Sequence, residues 1–181
     1  EEACGDWTNN PVYLTNNVSG VNITLAENDL DSDGLPDWWE ICHLGSTNAS
    51  PEGDEDGDNY YNIYEYAGEG NPTNPSLGPT VASYYVSTNG NDGNTGTSPE
   101  SAKLTIQAGI NAASQYDIVQ VADGIYTGTG NRDLVISNKI MLCTANGPGN
   151  CIINCEGGSL DKHRGFTLSL SSLDKMVIID G

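Results

Sequence analysis

The sequence predicts a mainly β protein in which a small acidic loop-and-helix module precedes a solenoid of short strands. Residues Asp29–Glu40 and Asp54–Glu65 are twelve-residue runs sharing one rhythm of oxygen-bearing side chains. Beyond residue 80 the chain offers only short strand signals, punctuated by Gly, Asn and Asp and without tight hairpin turns, which suits a solenoid better than a sandwich. Between them, 70–80 holds Pro72, Pro75 and Pro79 and reads as a semi-rigid, extended linker. The expected division is an N-terminal extended segment over 1–26, the acidic module over 27–69, the linker over 70–80 and the solenoid over 81–181.

Both acidic runs put oxygen side chains at positions 1, 3, 5 and 9 and a Glu at position 12, the ligand order of an EF-hand loop. Calcium is a hard cation that takes six to eight oxygens at roughly 2.3–2.6 Å, and alternate residues of a tight loop can all point inward to supply them. The expected ligands of a first Ca²⁺ are Asp29, Asp31, Asp33, the Leu35 carbonyl, Asp37 and Glu40. Those of a second are Asp54, Asp56, Asp58, the Tyr60 carbonyl, Asn62 and Glu65. Position 6, where the loop turns sharply, is Gly34 in the first and Asn59 in the second, and Asn is the non-glycine residue most tolerant of positive φ. An acidic disordered run would lack aromatics, yet Trp38, Trp39, Tyr60, Tyr61, Tyr64 and Tyr66 interleave these acids.

A short helix is expected after each loop, over Asp37–Leu44 and over Asn62–Ala67, stopped by Gly45 and Gly68. No helix is visible before either loop. A loop with an exiting helix alone resembles dockerin and thrombospondin type 3 calcium repeats, and Asp31-Ser32-Asp33-Gly34-Leu35-Pro36-Asp37-Trp38-Trp39-Glu40 is similar to repeats found in secreted bacterial proteins. Pro36 departs from a paired EF-hand, because it has no N–H for a strand between loops.

The charge distribution agrees with bound cations. All six Lys and Arg lie beyond residue 102, whereas residues 1–102 carry 18 of the 25 acids, 13 of them between Glu27 and Glu69. The net charge of −19 argues against nucleic acid or an anionic membrane surface as partner. No run approaches the length of apolar sequence that spans a bilayer. A chain beginning at Glu1 suggests a mature form whose signal segment has gone, and hence a secreted, extracellular or cell-surface protein. Of five cysteines, the expected pairs are Cys4 with Cys42 and two among Cys143, Cys151 and Cys155. Strand signals at Val12–Leu14 and Val21–Leu25, and glycosylation-type triplets at Asn17, Asn22 and Asn48, complete the first half.

In the second half Tyr84–Ser87 reads as a strand. Ser98 and Pro99 open a helix whose apolar face is Ala102, Ile106, Ile110 and Ala113. Strand signals follow at Ile118–Val121, Ile125–Tyr126, Leu134–Ile136, Ile140–Leu142, Ile152–Ile153, Phe166–Leu168 and Met176–Ile179. The stretches 84–93, 104–113 and 117–126 together resemble the N-terminal cap and first coil of the pectin-lyase-like superfamily. That resemblance implies a short right-handed parallel β-helix plugged at its start by the helix. If Ile118–Val121, Ile140–Leu142 and Met176–Ile179 stack as one face, two full turns and the start of a third are present, and the last strand offers a bare edge.

The expected function is a secreted calcium-binding structural protein that assembles head to tail with copies of itself into a filament or surface layer. Alternatives are a piece of a larger cell-surface adhesin, a polysaccharide lyase or hydrolase, and a dockerin-like docking module. A catalytic role would draw on Arg132, Asp133, Asp161 and Arg164. His43 and His163 have no acid or nucleophile at recognisable spacing. For docking, Trp38, Trp39, Ile63 and Tyr64 follow the loops, but so small a module needs such side chains for its own core.

Overall fold

Parallel pairing between strands three places apart organises the second half of the chain. The computed structural model describes residues 28–147, 149–169 and 178–180. The expected strands at Val12–Leu14 and Val21–Leu25 and the triplets at Asn17 and Asn22 lie outside them. β1 (Tyr84–Val86) pairs with β2 (Ile118–Val121), β2 with β5 (Met141–Thr144), and β5 with β8 (Ile178–Asp180). β3 (Gly124–Thr127) pairs with β6 (Cys151–Asn154), and β4 (Leu134–Ile136) with β7 (Phe166–Leu168). The chain therefore passes through three small parallel sheets in turn and returns to the first, whose strand order is β1-β2-β5-β8.

Alternation sorts the side chains. Val86, Val119, Val121, Tyr126, Leu134, Ile136 and Leu142 point into one buried cluster. Tyr126 carries a hydroxyl into that cluster and donates it to the Ala122 carbonyl at 2.9 Å, so no polar group is orphaned there. One end of the cluster is closed by α3 (Ile106–Ala112), through Ile106, Ile110 and Ala113. Gly109 lets that helix approach, because a Cβ there would sit 2.5 Å from Val86 Cγ2. Gln107 also seals the edge of β4: its amide donates to the Val135 carbonyl (3.0 Å) and accepts from the Val135 N–H (2.8 Å), standing in for a neighbouring strand.

The continuous helix expected from Ser98 is divided. Pro99–Ser101 forms a 3-10 turn capped by Ser98, and α3 begins afresh with Thr105 as its cap. The interruption at Ala102–Lys103 is used as strand: Lys103 N–H donates to Tyr85 O and Ser87 N–H to Lys103 O, covering the free edge of β1. Asp92 then accepts the N–H groups of Leu104 and Thr105, both at 2.8 Å, which fixes the restart. All four expected apolar positions of this stretch are nonetheless buried.

In the first half α1 (Asp37–Leu44) and α2 (Asn62–Ala67) run over the expected residues. Gly45 ends α1 in the left-handed conformation (φ 70°), whereas Gly68 ends α2 at φ −104° and is a glycine for a different reason. A Cβ on Gly68 would meet Pro79 Cβ at 2.5 Å and Ile118 Cδ1 at 2.8 Å. The segment 70–80 is consequently not an extended linker. It closes on itself through Asn71 N–H to Leu77 O, Asn74 N–H to Asn71 O and Leu77 N–H to Asn74 O, then returns as Thr80 and Val81 donate to Gly68 O. Its Pro and Asn residues serve turns, with Asn71 and Asn74 side chains accepting from Thr73 and Ser76.

The outer face of the first sheet is covered by the acidic module. Leu35, Trp39, Ile63 and Tyr64 form one buried cluster with Ala82, Ile118 and Met141, flanked by Trp38, Tyr60, Tyr66, Tyr85 and Tyr116. The first sheet is thus apolar on both sides, which explains its unalternating Ile-Val and Met-Leu runs.

Cys42 is disulfide-bonded; its expected partner Cys4 lies outside the described residues. The second expected disulfide is absent, since none of Cys143, Cys151 and Cys155 is oxidised. Cys143 packs on the module side of its sheet while Cys151 packs against the cluster between the sheets. Cys151 and Cys155 are separated by about 13 Å of extended chain, too far for a bridge.

The shared cluster predicts one cooperative unfolding transition. Ile118→Ala, on the coil, should cost about 2–5 kcal/mol. It should lower the melting midpoint read by tryptophan fluorescence and by far-ultraviolet circular dichroism equally, because all three Trp precede residue 40. An unchanged tryptophan transition would show that the halves fold independently.

Candidate metal centre

The two acidic loops share one backbone scheme. At position 6, Gly34 and Asn59 both have positive φ (100° and 75°), as do Ser32 and Gly57 at position 4 (60° and 78°). The position-1 carboxylate braces each turn. Asp29 accepts from Gly34 N–H (3.1 Å), and Asp54 accepts from Asn59 N–H, also at 3.1 Å. The position-5 carboxylate accepts the position-7 N–H in each: Leu35 to Asp33 at 2.9 Å and Tyr60 to Asp58 at 2.8 Å. No strand joins the two loops among the described residues, in keeping with Pro36.

Of the expected ligands, the structure gathers Asp29, Asp31 and Asp33 into one group and Asp54, Asp56 and Asp58 into another, with carboxylate oxygens within 4.8 Å of each other. Glu40 and Glu65, delivered by the first turns of α1 and α2, are fully buried, as is Asn62. Glu40 Oε2, Asp56 Oδ2, Asp58 Oδ2, Asn62 Oδ1 and both Glu65 oxygens are enclosed and have no hydrogen-bond partner. Buried polar atoms are normally satisfied, so these enclosed oxygens beside the two aspartate groups could hold a metal ion.

Asp37, expected as a ligand, is placed differently. Its Oδ2 accepts from Asn28 Nδ2 (2.8 Å) and its Oδ1 from Leu30 N–H (2.9 Å), so it holds the loop closed. Leu35 and Tyr60 contribute apolar bulk to the shared cluster in addition to their carbonyls.

The electrostatics report crowding. Burial, and then the charges of Asp58, Asp56, Asp54 and Glu55, push the Glu65 carboxyl up to about 8. Burial raises Glu40, opposed by its hydrogen bond from Ala49 and reinforced by Asp33, Asp31 and Asp37. Asp58 is raised too, by burial first and then by its neighbours. His43 offers no relief, because burial lowers its pKa and keeps it neutral.

A second polar group on the coil escaped the sequence. His163 meets two acids, with Nδ1 2.6 Å from Asp133 Oδ2 and Nε2 3.2 Å from Asp161 Oδ2. The β4–β7 register brings Asp133 beside residues thirty positions later, which linear spacing does not reveal. Asp133 also accepts the Arg164 N–H (2.9 Å), and that bond first, then His163, lowers its pKa. Arg132 is held 2.8 Å from Glu156. Asp133, His163, Arg132 and Glu156 thus act as clamps between successive loops. Trp39, Ile63 and Tyr64, candidates for docking contacts, are buried in the shared cluster.

The raised carboxyls fix the sign of a pH effect. An acid whose folded pKa exceeds its unfolded value penalises folding while ionised, fully above about 8 for Glu65, and the penalty disappears as pH falls toward the ordinary 4.5. Without divalent ions, the melting midpoint should therefore rise on acidification through this window, and Glu65→Gln should flatten the rise. Thermal denaturation across pH checks both. A midpoint that falls throughout would contradict the assignment. Compared with known proteins, the chain matches no family model, no curated protein and no solved structure.

Proposed function

We propose that this is an extracellular structural protein whose acidic module binds two Ca²⁺ ions and thereby fastens itself to a short right-handed parallel β-helix. The observation that carries the reading is Glu65. It is fully buried with both oxygens unpartnered, facing three aspartates in a region without Lys or Arg. A bidentate position-12 Glu completing an all-oxygen set is calcium chemistry, since magnesium prefers a smaller octahedral shell. The dockerin and thrombospondin type 3 resemblance, the loop φ angles and the position-6 hydrogen bonds support the same ion. The three-sheet succession supports the β-helix. The Cys42 disulfide and the need for abundant calcium support an oxidising, extracellular setting.

Calorimetric titration of the full chain should show two ions bound. At a hundredfold excess over the dissociation constant each site should add about 2.7 kcal/mol of stability. Chelator should reverse the gain, and Glu65→Gln should remove one site. Material that takes up no Ca²⁺ would end the proposal.

Association of copies is the second part of the reading. The edge of β1 is covered by Lys103, but among the described residues nothing pairs with the outer edge of β8, where Ile179 is half-exposed. Another coil, from a second copy, would extend the sheet there. Sedimentation with and without chelator tests this: calcium-dependent polymers are expected, and monomers under both conditions would exclude it.

A further inference from the structure

We infer that the two loops are unequal and coupled: Asp54–Glu65 takes Ca²⁺ first and more tightly, and its loading raises the affinity of Asp29–Glu40 through the Ala49–Ser50 segment. The inference rests on the calcium reading above and goes beyond it in assigning an order and a physical link.

The inequality lies in how many ligand oxygens are enclosed without a partner, since both loops engage their position-1 aspartate alike. Among the described residues six buried oxygens lack partners, and five of them (Asp56 Oδ2, Asp58 Oδ2, Asn62 Oδ1 and both from Glu65) belong to the second loop. The first loop contributes only Glu40 Oε2. Its position-9 residue, Asp37, has both oxygens engaged by Asn28 and Leu30, whereas Asn62 at the same position keeps its Oδ1 unpartnered. Its position-12 residue has one oxygen engaged, with Ala49 N–H donating to Glu40 Oε1 at 2.6 Å. An oxygen already stabilised by an N–H gains less from an ion than a buried oxygen with nothing. The second loop therefore has more to gain from ligation.

The link runs through the residues between the loops. Ala49 holds Glu40, and the next residue, Ser50, accepts from Asn62 Nδ2 at 2.9 Å. Ser50 O is also bound by Gly53 N–H (2.8 Å), and Pro51 O by Ile63 N–H (3.1 Å). The last ligand of one loop and the position-9 ligand of the other thus grip one three-residue strut from opposite sides. Turning Nδ2 toward Ser50 leaves Asn62 Oδ1 for the ion, so an ion that fixes Asn62 also fixes Ser50. Ala49 is thereby held where its N–H keeps Glu40 in place. Ile63 also lies beside the first loop, where a Cβ on Gly34 would meet its Cδ1 at 3.5 Å. Coupling of this kind is reciprocal.

The test uses the full chain titrated with Ca²⁺ alone, reading the backbone amide resonances of Gly34 and Asn59, which occupy equivalent places in the two loops. Asn59 should shift first, and the Gly34 midpoint should need about tenfold more free calcium. Glu65→Gln should abolish the Asn59 transition and move the Gly34 midpoint up by about fivefold or more. Asn62→Asp keeps an oxygen at position 9 but loses the donor to Ser50. It should retain the Asn59 transition while moving Gly34 upward, and it carries the test if Glu65→Gln does not fold. A common midpoint in the wild-type chain, or Gly34 shifting first, overturns the order. An unmoved Gly34 midpoint in both variants overturns the coupling. Resonances that do not respond at all refute the calcium reading itself.

Discussion

Carboxylates buried without an internal counter-charge are the constraint on which this structure turns. Between Glu27 and Glu69 there are thirteen acids and neither Lys nor Arg. Lys139 lies 3.7 Å from Glu52 at the module's surface, a half-exposed pair of small consequence. Glu40 and Glu65 nonetheless sit at the bottom of their loops with no access to water. Enclosing an ionised carboxylate in this way is unfavourable unless charge and hydrogen bonds compensate it. Within the module the chain supplies few of either, so the charge is relieved by protonation, as the raised Glu65 carboxyl allows, or by a cation from outside the chain.

A segment of some forty residues cannot bury enough apolar surface to stand alone. The module solves this by sharing. Its two helices each turn an acid toward the loop and apolar side chains toward the sheet: Glu65 one way and Ile63 and Tyr64 the other, within a single short helix. The coil gains equally. Ile118 and Met141 would otherwise lie on a bare outer face, as Ile125 and Ile152 do on the second sheet, where they are 62% and 51% exposed.

Much of this was legible from residue types, because the signals were local. Oxygen ligands at alternate positions, followed by helix-forming residues and a glycine, located both loops and both helices. Short apolar runs between Gly and Asn located the strands. The illegible parts depend on pairing between distant residues. Pro72, Pro75 and Pro79 suggest an extended linker until Gly68 is seen to receive Thr80 and Val81. The apolar spacing through Ala102 and Ile106 suggests one helix, yet those positions are buried by a strand-like crossing followed by a new helix start. Asp133 and His163 meet only because β7 stacks on β4. Asp37 satisfies the ligand pattern in sequence, and spacing does not express that its oxygens also accept from Asn28 and Leu30.

Under the proposed calcium reading, ion binding and the stability of the first sheet would be a single quantity. Glu65 and Tyr64 are adjacent in α2, one reaching the loop and the other fully buried against the sheet cluster. An ion drawing Glu65 into its shell would fix the rotation of that helix about its axis, and with it the depth at which Ile63 and Tyr64 enter the cluster containing Ile118 and Met141. Any ligand that binds only the assembled state stabilises all of it by the same free energy. The acidic module is therefore packed onto the outer sheet through one shared cluster, and is not an appendage joined to it by a tether.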